Sequence, residues 1–293
     1  MRILLDVFIF VFLLTGCIDG KKELTPISQN VEEPKHPTVN ITMTDYCVKD
    51  GQRVNFFLHN PYVRVTSQGV LLDNDGDGIH NEEEEALSQI YNISSDHYDT
   101  SGDLYFDLII KLGSYTPDEQ TLFPECFSAQ DSSNDGLIDC NKVLMGLDPL
   151  KFDYDGDGVP DILELYFGTN PLRDDSYLDT VKDNMNNLEK IKRGIPIRES
   201  RFLPEIKKYT MEYNLKETKS SIQDGNCFQY QVNNIPINDH IAINKLWLYF
   251  IESRKKNGKT ENILKRIAVE VSGRSEQVDY KFDYRDYLSD GDD

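Results

Sequence analysis

The 293-residue sequence carries no Gly-x-Ser-x-Gly nucleophile turn, no His-Glu-x-x-His zinc helix and no glycine-rich phosphate loop. The signatures of serine hydrolases, metalloproteases and nucleotide-binding enzymes are therefore missing. The five histidines, His36, His59, His80, His97 and His240, are scattered, and none has a second histidine at helical spacing. Hydrolysis would need a nucleophile with a base, or two poised carboxylates in a cleft. An enzyme is not expected, and an uncharacterised hydrolase in the C-terminal region is an alternative without a motif behind it. Basic residues are also scarce where they would matter for nucleic acid. Residues 73–183 hold 27 Asp and Glu against 5 Lys and Arg, so this stretch outweighs the formal charge of −20 of the whole chain. Such a field repels phosphates and holds cations, so no nucleic-acid partner is expected.

Long apolar runs are lacking too. The run at residues 7–14 is too short to span a bilayer and suits the h-region of an export signal. It ends in Leu14-Thr15-Gly16-Cys17, which resembles the bacterial lipobox. The resemblance implies cleavage before Cys17 and acylation of its thiol, making residues 1–16 a lipoprotein signal peptide. Several acyl chains on one cysteine anchor stably to a membrane. Residue 18 is Ile rather than the aspartate that, by resemblance to the enteric sorting rule, retains lipoproteins at the inner membrane, which favours the outer membrane of a bacterial cell envelope. Residues 17–41, rich in Lys, Glu, Pro, Thr and Ser, read as a lipidated flexible tether. Cysteine is otherwise sparse. Cys47, Cys126, Cys140 and Cys227 make an even number in an exported chain, where disulfides persist. Of the three connectivities open to four cysteines, Cys126 with Cys140, which flank one loop, is favoured, leaving Cys47 with Cys227.

The acidity has a spacing. In Asp73-Asn74-Asp75-Gly76-Asp77-Gly78-Ile79-His80-Asn81-Glu82-Glu83-Glu84, positions 1, 3 and 5 of a twelve-residue calcium loop are Asp, 6 is Gly, 9 is Asn and 12 is Glu. Alternating aspartates on a tightly wound loop converge on one point, Gly78 permits the turn that aims the Ile79 carbonyl inward, and Glu84 closes the shell with two oxygens. A second loop repeats this with Asp153, Asp155, Asp157, the Val159 carbonyl, Asp161 and Glu164. Calcium suits so many protein oxygens better than magnesium does. Weaker copies place Asp131, Ser133, Asp135, Gly136, Leu137 and Asp139 at positions 1, 3, 5, 6, 7 and 9, with Lys142 at 12, which cannot coordinate. Asp99, Ser101, Asp103 and Asp107 form another with Ile110 at 12; Asp179, Asp183 and Asn187 form a third with Val181 at 3 and Lys190 at 12.

The loop starts, 73, 99, 131, 153 and 179, lie 26, 32, 22 and 26 residues apart, the mark of an array rather than one globular core. Gly168-Thr169-Asn170-Pro171 and Gly146-Leu147-Asp148-Pro149 punctuate it. Residues 73–195 therefore resemble bacterial thrombospondin type 3 repeats. That resemblance implies a chain wrapped around calcium ions that substitute for a hydrophobic core, with Asp174 or Asp175 helping to coordinate an adjacent ion. Short helices should follow the loops, because Ala86, Leu87, Ile90 and Tyr91 share one helical face and residues 162–167 behave alike.

Residues 42–72 contain strand-like pieces whose pairing partners the sequence does not show. Residues 196–293 alternate with period two at Tyr209 to Leu215, Phe228 to Val232, Ile267 to Val271 and Val278 to Tyr284, and run continuously apolar at 246–251. With Asp224-Gly225 and Asn257-Gly258 as turns, they read as about five strands of a small antiparallel β domain with one wet face. The expected fold is α+β with irregular stretches: a calcium-loop array with short helices, followed by that sheet. The expected function is a calcium-binding, membrane-anchored envelope lipoprotein of structural or adhesive role, with a cell-surface protein or glycan as a partner class. In the alternative reading Trp247, Tyr249 and neighbouring tyrosines form a glycan- or peptidoglycan-binding platform, although packing is the commoner use of such aromatics.

Overall fold

Strand pairing joins residues 38–59 to residues 225–281. A computed structural model of the protein describes residues 36–49, 53–91, 93–113, 125–218, 225–256, 258–272 and 277–281. The signal peptide, Cys17, most of the tether and the acidic tail fall outside these residues. β1 (Thr38–Lys49) and β2 (Arg53–His59) precede a short hairpin of β3 (Val63–Thr66) and β4 (Gly69–Leu72); β5 (Glu212–Thr218), β6 (Gly225–Pro236), β7 (Ile243–Lys256), β8 (Lys259–Ser272) and β9 (Gln277–Lys281) follow the acidic region. One sheet runs β5-β6-β1-β9 and a second β2-β7-β8. Within residues 42–72, β3 and β4 pair with each other, whereas β1 and β2 find partners far downstream, with Met43 opposite Tyr230 and Phe56 opposite Phe250.

The two sheets bury one core between them. Val39, Ile41 and Met43 of β1, Phe56 and Leu58 of β2, Val232 and Ile235 of β6, Leu246, Leu248 and Phe250 of β7, and Ile267, Val269 and Val271 of β8 form a single buried cluster. Period-two alternation puts these side chains on one face of each strand, and in β6 an irregularity of the ladder between Val39 and Ile41 brings Val232 and Ile235, three residues apart, to the same face. Five C-terminal strands are present, although Tyr209, expected in the first of them, ends the helix Pro204–Tyr209 and that strand begins at Glu212. β7 and β8 pair from Lys256 with Lys259 outward, as the Asn257-Gly258 signal requires. One pairing departs from the antiparallel expectation. β9 runs parallel to β1, from Asn40 opposite Gln277 to Thr44 opposite Lys281, so the four-stranded sheet is mixed. Cys126 and Cys140 are bonded as expected, with Cα atoms 5.9 Å apart; Cys227 is in a disulfide and its backbone lies opposite that of Cys47 in the ladder.

The acidic region is not set apart from the sheets. The second face of β2-β7-β8 carries Phe57, Tyr249 and Ile251, each 1–2% exposed, and they share a cluster with Ile79, Leu108, Ile109, Leu137, Val159, Ile162, Leu163 and Ile191. Leaving such side chains in water would cost about 2 kcal/mol each. The continuous apolar run at 246–251 is therefore a strand buried on both faces rather than one with a wet side. The boundaries at 72/73 and 195/196 separate sequence segments but not packed ones, and the described chain is an α+β fold of sheet, sheet and a covering of loops and short helices. Among the described residues no helix is long and apolar enough to cross a membrane.

Candidate metal centre

Five helices begin at one place in the pattern. α1 (Asn81–Tyr91), α2 (Asp107–Leu112), α3 (Asp139–Leu144), α4 (Asp161–Phe167) and α5 (Asn187–Lys192) each start at position 9 of the loops opened by Asp73, Asp99, Asp131, Asp153 and Asp179. A sixth, α6 (Pro204–Tyr209), packs Ile206 and Tyr209 against Val65 of β3 and Ile195. In every loop the position-1 aspartate accepts, through Oδ2, the backbone N–H of position 6 at 2.7–2.9 Å: Gly78, Leu104, Gly136, Gly158 and Asn184. The position-5 carboxylate accepts the N–H of position 7 in each as well. Position 6 always has positive φ, from 61° at Asn184 to 107° at Gly136, which glycine adopts most readily. The position-7 side chains Ile79, Leu137 and Val159 are fully buried under the sheet. Every loop is thus pinned by internal hydrogen bonds, and those at Asp73, Asp131 and Asp153 also by an apolar plug, whatever position 12 holds.

The loops differ in what remains after those bonds. In the loop at Asp73, Asp75 Oδ2, Asp77 Oδ2 and both Glu84 carboxylate oxygens are buried without a hydrogen-bond partner. In the loop at Asp153 the same holds for Asp155 Oδ2, Asp157 Oδ2 and Glu164 Oε2, together with Oδ1 of Asp175. Oxygens of Asp73, Asp75 and Asp77 lie within 4.8 Å of one another, as do those of Asp153, Asp155 and Asp157, and of Asp157, Glu164 and Asp175. Of the two downstream aspartates, Asp175 rather than Asp174 joins a cluster. Buried acceptors that converge unpaired are costly unless a cation completes them. Burial and then the neighbouring Asp75 and Asp73 push the Asp77 carboxyl up to about 9; burial followed by Asp157 and Asp155 takes Glu164 to about 10, and burial followed by Asp75 takes Glu84 to about 8. Carboxylates in such surroundings hold protons at neutral pH until a cation displaces them. Several buried or half-buried Asp clusters can therefore hold a metal ion.

The two loops also touch. Tyr166, on α4 behind the second loop, donates its hydroxyl proton to the carbonyl of Gly76 in the first. A Cβ at Gly78 would lie 2.5 Å from the Tyr166 ring. Asn238, in the β6–β7 connection, donates to the Asp73 carbonyl at 3.4 Å, so the sandwich holds the first loop as well.

The loop at Asp131, expected among the metal ligands, is arranged otherwise. Asp139 accepts from the N–H and hydroxyl of Ser132, Ser133 donates to Asp131 at 3.2 Å, and Asp135 Oδ2 faces the Lys142 ammonium at 2.7 Å. Arg266 of β8 reaches Asp131 at 3.6 Å. In the loop at Asp179, Lys190 lies 3.0 Å from Asp183, which also accepts the N–H of Arg201 at 2.7 Å. The loop at Asp99 is closed by hydroxyls, with Thr100 donating to Asp107 and Ser101 to Asp99. Among the described residues none of these three loops brings three metal-ligating groups together. The basic partners were missed in the sequence, where Lys142 and Lys190 counted only as non-ligands; their shared position 12 was the signal.

The aromatic platform does not form at Trp247 and Tyr249. Tyr249 is 2% exposed inside the core, and the half-buried Trp247 ring has the Lys245 ammonium 4.9 Å from its centre and the Arg266 guanidinium at 4.3 Å. Comparison of the chain with protein-family models, curated proteins and solved structures finds no match.

Proposed function

We propose that the protein is a calcium-binding cell-envelope lipoprotein, tethered through Cys17, whose ions hold the acidic segment against a β-sandwich in a structural or adhesive role. The observation that carries the reading is the set of buried, unpartnered carboxylate oxygens at Asp75, Asp77 and Glu84 and at Asp155, Asp157 and Glu164. They fall at the ligand positions of a calcium loop, with an all-oxygen donor set and one glutamate able to bind through both oxygens. The repetition of one loop-helix unit five times supports a thrombospondin type 3-like array, here wrapped on a sheet. Calcium supplies the charge that lets these carboxylates be buried ionised; the chain itself contributes the preset loops, the apolar plugs at position 7 and the Tyr166 link. Binding of this kind is folding energy. Calorimetry on the chelated, soluble form lacking residues 1–16 tests it: uptake of calcium with a Kd of about 0.1–1 mM, as in extracellular modules, supports the reading. Absence of heat and of any circular-dichroism change in millimolar calcium refutes it. Lipidation is tested separately, by labelling with a radioactive fatty acid in cells, which should mark the wild type and not Cys17→Ser.

A further inference from the structure

Two of the five loops carry lysine at position 12, and both lysines are fully buried. We propose that the ammonium groups of Lys142 and Lys190 stand in the cation's place in the loops at Asp131 and Asp179, so that these loops close without metal. The inference rests on the calcium reading of the other two loops for what the place is. There the second oxygen of the position-5 carboxylate, Asp77 Oδ2 or Asp157 Oδ2, is buried and unpartnered. In the lysine loops Nζ faces that same oxygen: it lies 2.7 Å from Asp135 Oδ2, which has this ion pair and no hydrogen bond, and 3.0 Å from Asp183 Oδ2, which also accepts the Arg201 N–H at 2.7 Å. Lys142 spends its remaining donors on Asp161 Oδ2 at 2.8 Å and on the Lys151 carbonyl, and Lys190 donates to the Glu199 carbonyl at 2.7 Å. Burying an ammonium is unfavourable unless its protons are taken up by anions and carbonyls. Here Lys142 meets two carboxylates and a carbonyl, and Lys190 one carboxylate and one carbonyl, in two separate loops at one position.

The acid content follows the charge supplied. Where Glu stands at 12, position 3 is Asp75 or Asp155; where Lys stands at 12, position 3 is Ser133 or Val181. A divalent ion is replaced by a single tethered charge, and the carboxylates around it fall in number to match. The loop at Asp99 shows what loss alone looks like, with Ile110 at position 12 and hydroxyls closing the turn. Lys142 does more than neutralise its own loop. Asp161 is position 9 of the loop at Asp153, and the ammonium fixes it there while its other oxygen accepts the Tyr154 N–H at 2.8 Å. A metal-free loop thereby braces a metal-binding one.

Native mass spectrometry in calcium decides the matter. The wild type should carry two ions, unchanged in Asp131→Asn and Asp179→Asn, and Lys142→Glu, which restores a glutamate at position 12, should carry a third. Amine acylation of the calcium-loaded wild type should spare Lys142 and Lys190 while modifying the exposed Lys255. Four ions on the wild type with one lost in each Asn variant, a Lys142→Glu protein of wild-type circular dichroism that gains no ion, or acylation of either lysine at the rate of Lys255 would each overturn the proposal. Failure of the calcium reading looks different. The wild type then carries no ion, and Lys142→Glu still reports on the lysine by gaining one ion or none.

Discussion

Single residues set whether a loop tolerates change. Gly78 and Gly156 both have positive φ, 97° and 84°, yet a Cβ at Gly156 meets nothing within 4 Å whereas one at Gly78 runs into Tyr166. Gly156→Ala should cost about 1 kcal/mol for the left-handed backbone alone, and Gly78→Ala about 3 kcal/mol once overpacking is added. Urea unfolding in calcium measures both; equal costs would mean that the Tyr166 contact is not formed. Ligand residues should behave differently from glycines. Glu164→Gln keeps the shape but removes the charge, so ion uptake at about 1 mM calcium should fall from two to one by native mass spectrometry, whereas Glu82→Gln, on the exposed side of the same type of helix, should leave it at two.

At the scale of elements, the loops carry the helices and the sandwich carries the loops. Removing calcium should release α1 and α4, whose Glu84 and Glu164 then lose the cation that joins them to the aspartates of their loops, while the ladders of β1 with β6 and β7 with β8 persist. Hydrogen exchange tests this: amides of 81–91 and 161–167 should exchange much faster in chelator than those of 246–250, and uniform acceleration would contradict it. Much of this level was legible beforehand. Ligand spacing located all five loops, because coordination geometry is local, and the apolar face of residues 86–91 and the run at 162–167 announced two of the helices; that all five begin at position 9 emerged only from the structure. Asn257-Gly258 fixed the β7–β8 hairpin for the same reason. The pairing of β1 with β6, and of β2 with β7, was not legible, since the partners are separated by the whole acidic segment and no turn signal spans it. The parallel β9 escaped because alternation reports a face, not a direction. Lys142 and Lys190 were read only as residues unable to coordinate, because an ion pair with Asp161 or a bond to the Glu199 carbonyl depends on how successive loops stack.

For the whole molecule, the consequence of the proposal is a fold whose acid content is matched by ions and by its own lysines. In the ion-free chain Asp77, Glu84 and Glu164 titrate at about 9, 8 and 10, against about 4 when unfolded. The folded state then binds more protons between those limits, so stability is greatest at low pH and is lost as pH rises from about 4 toward 8–10. Bound calcium requires the deprotonated ligands, and its contribution grows over the same interval. Thermal unfolding should therefore show Tm falling from pH 5 to pH 8 without calcium and holding or rising with it; parallel profiles would separate the loops from the ion. The most direct test of the central claim is the calcium titration itself, followed by calorimetry and near-ultraviolet circular dichroism on the folded, chelated protein. Two ions bound with sub-millimolar to millimolar affinity, and a gain in tertiary signal, are predicted; no saturable uptake and no spectral change in millimolar calcium would contradict the account.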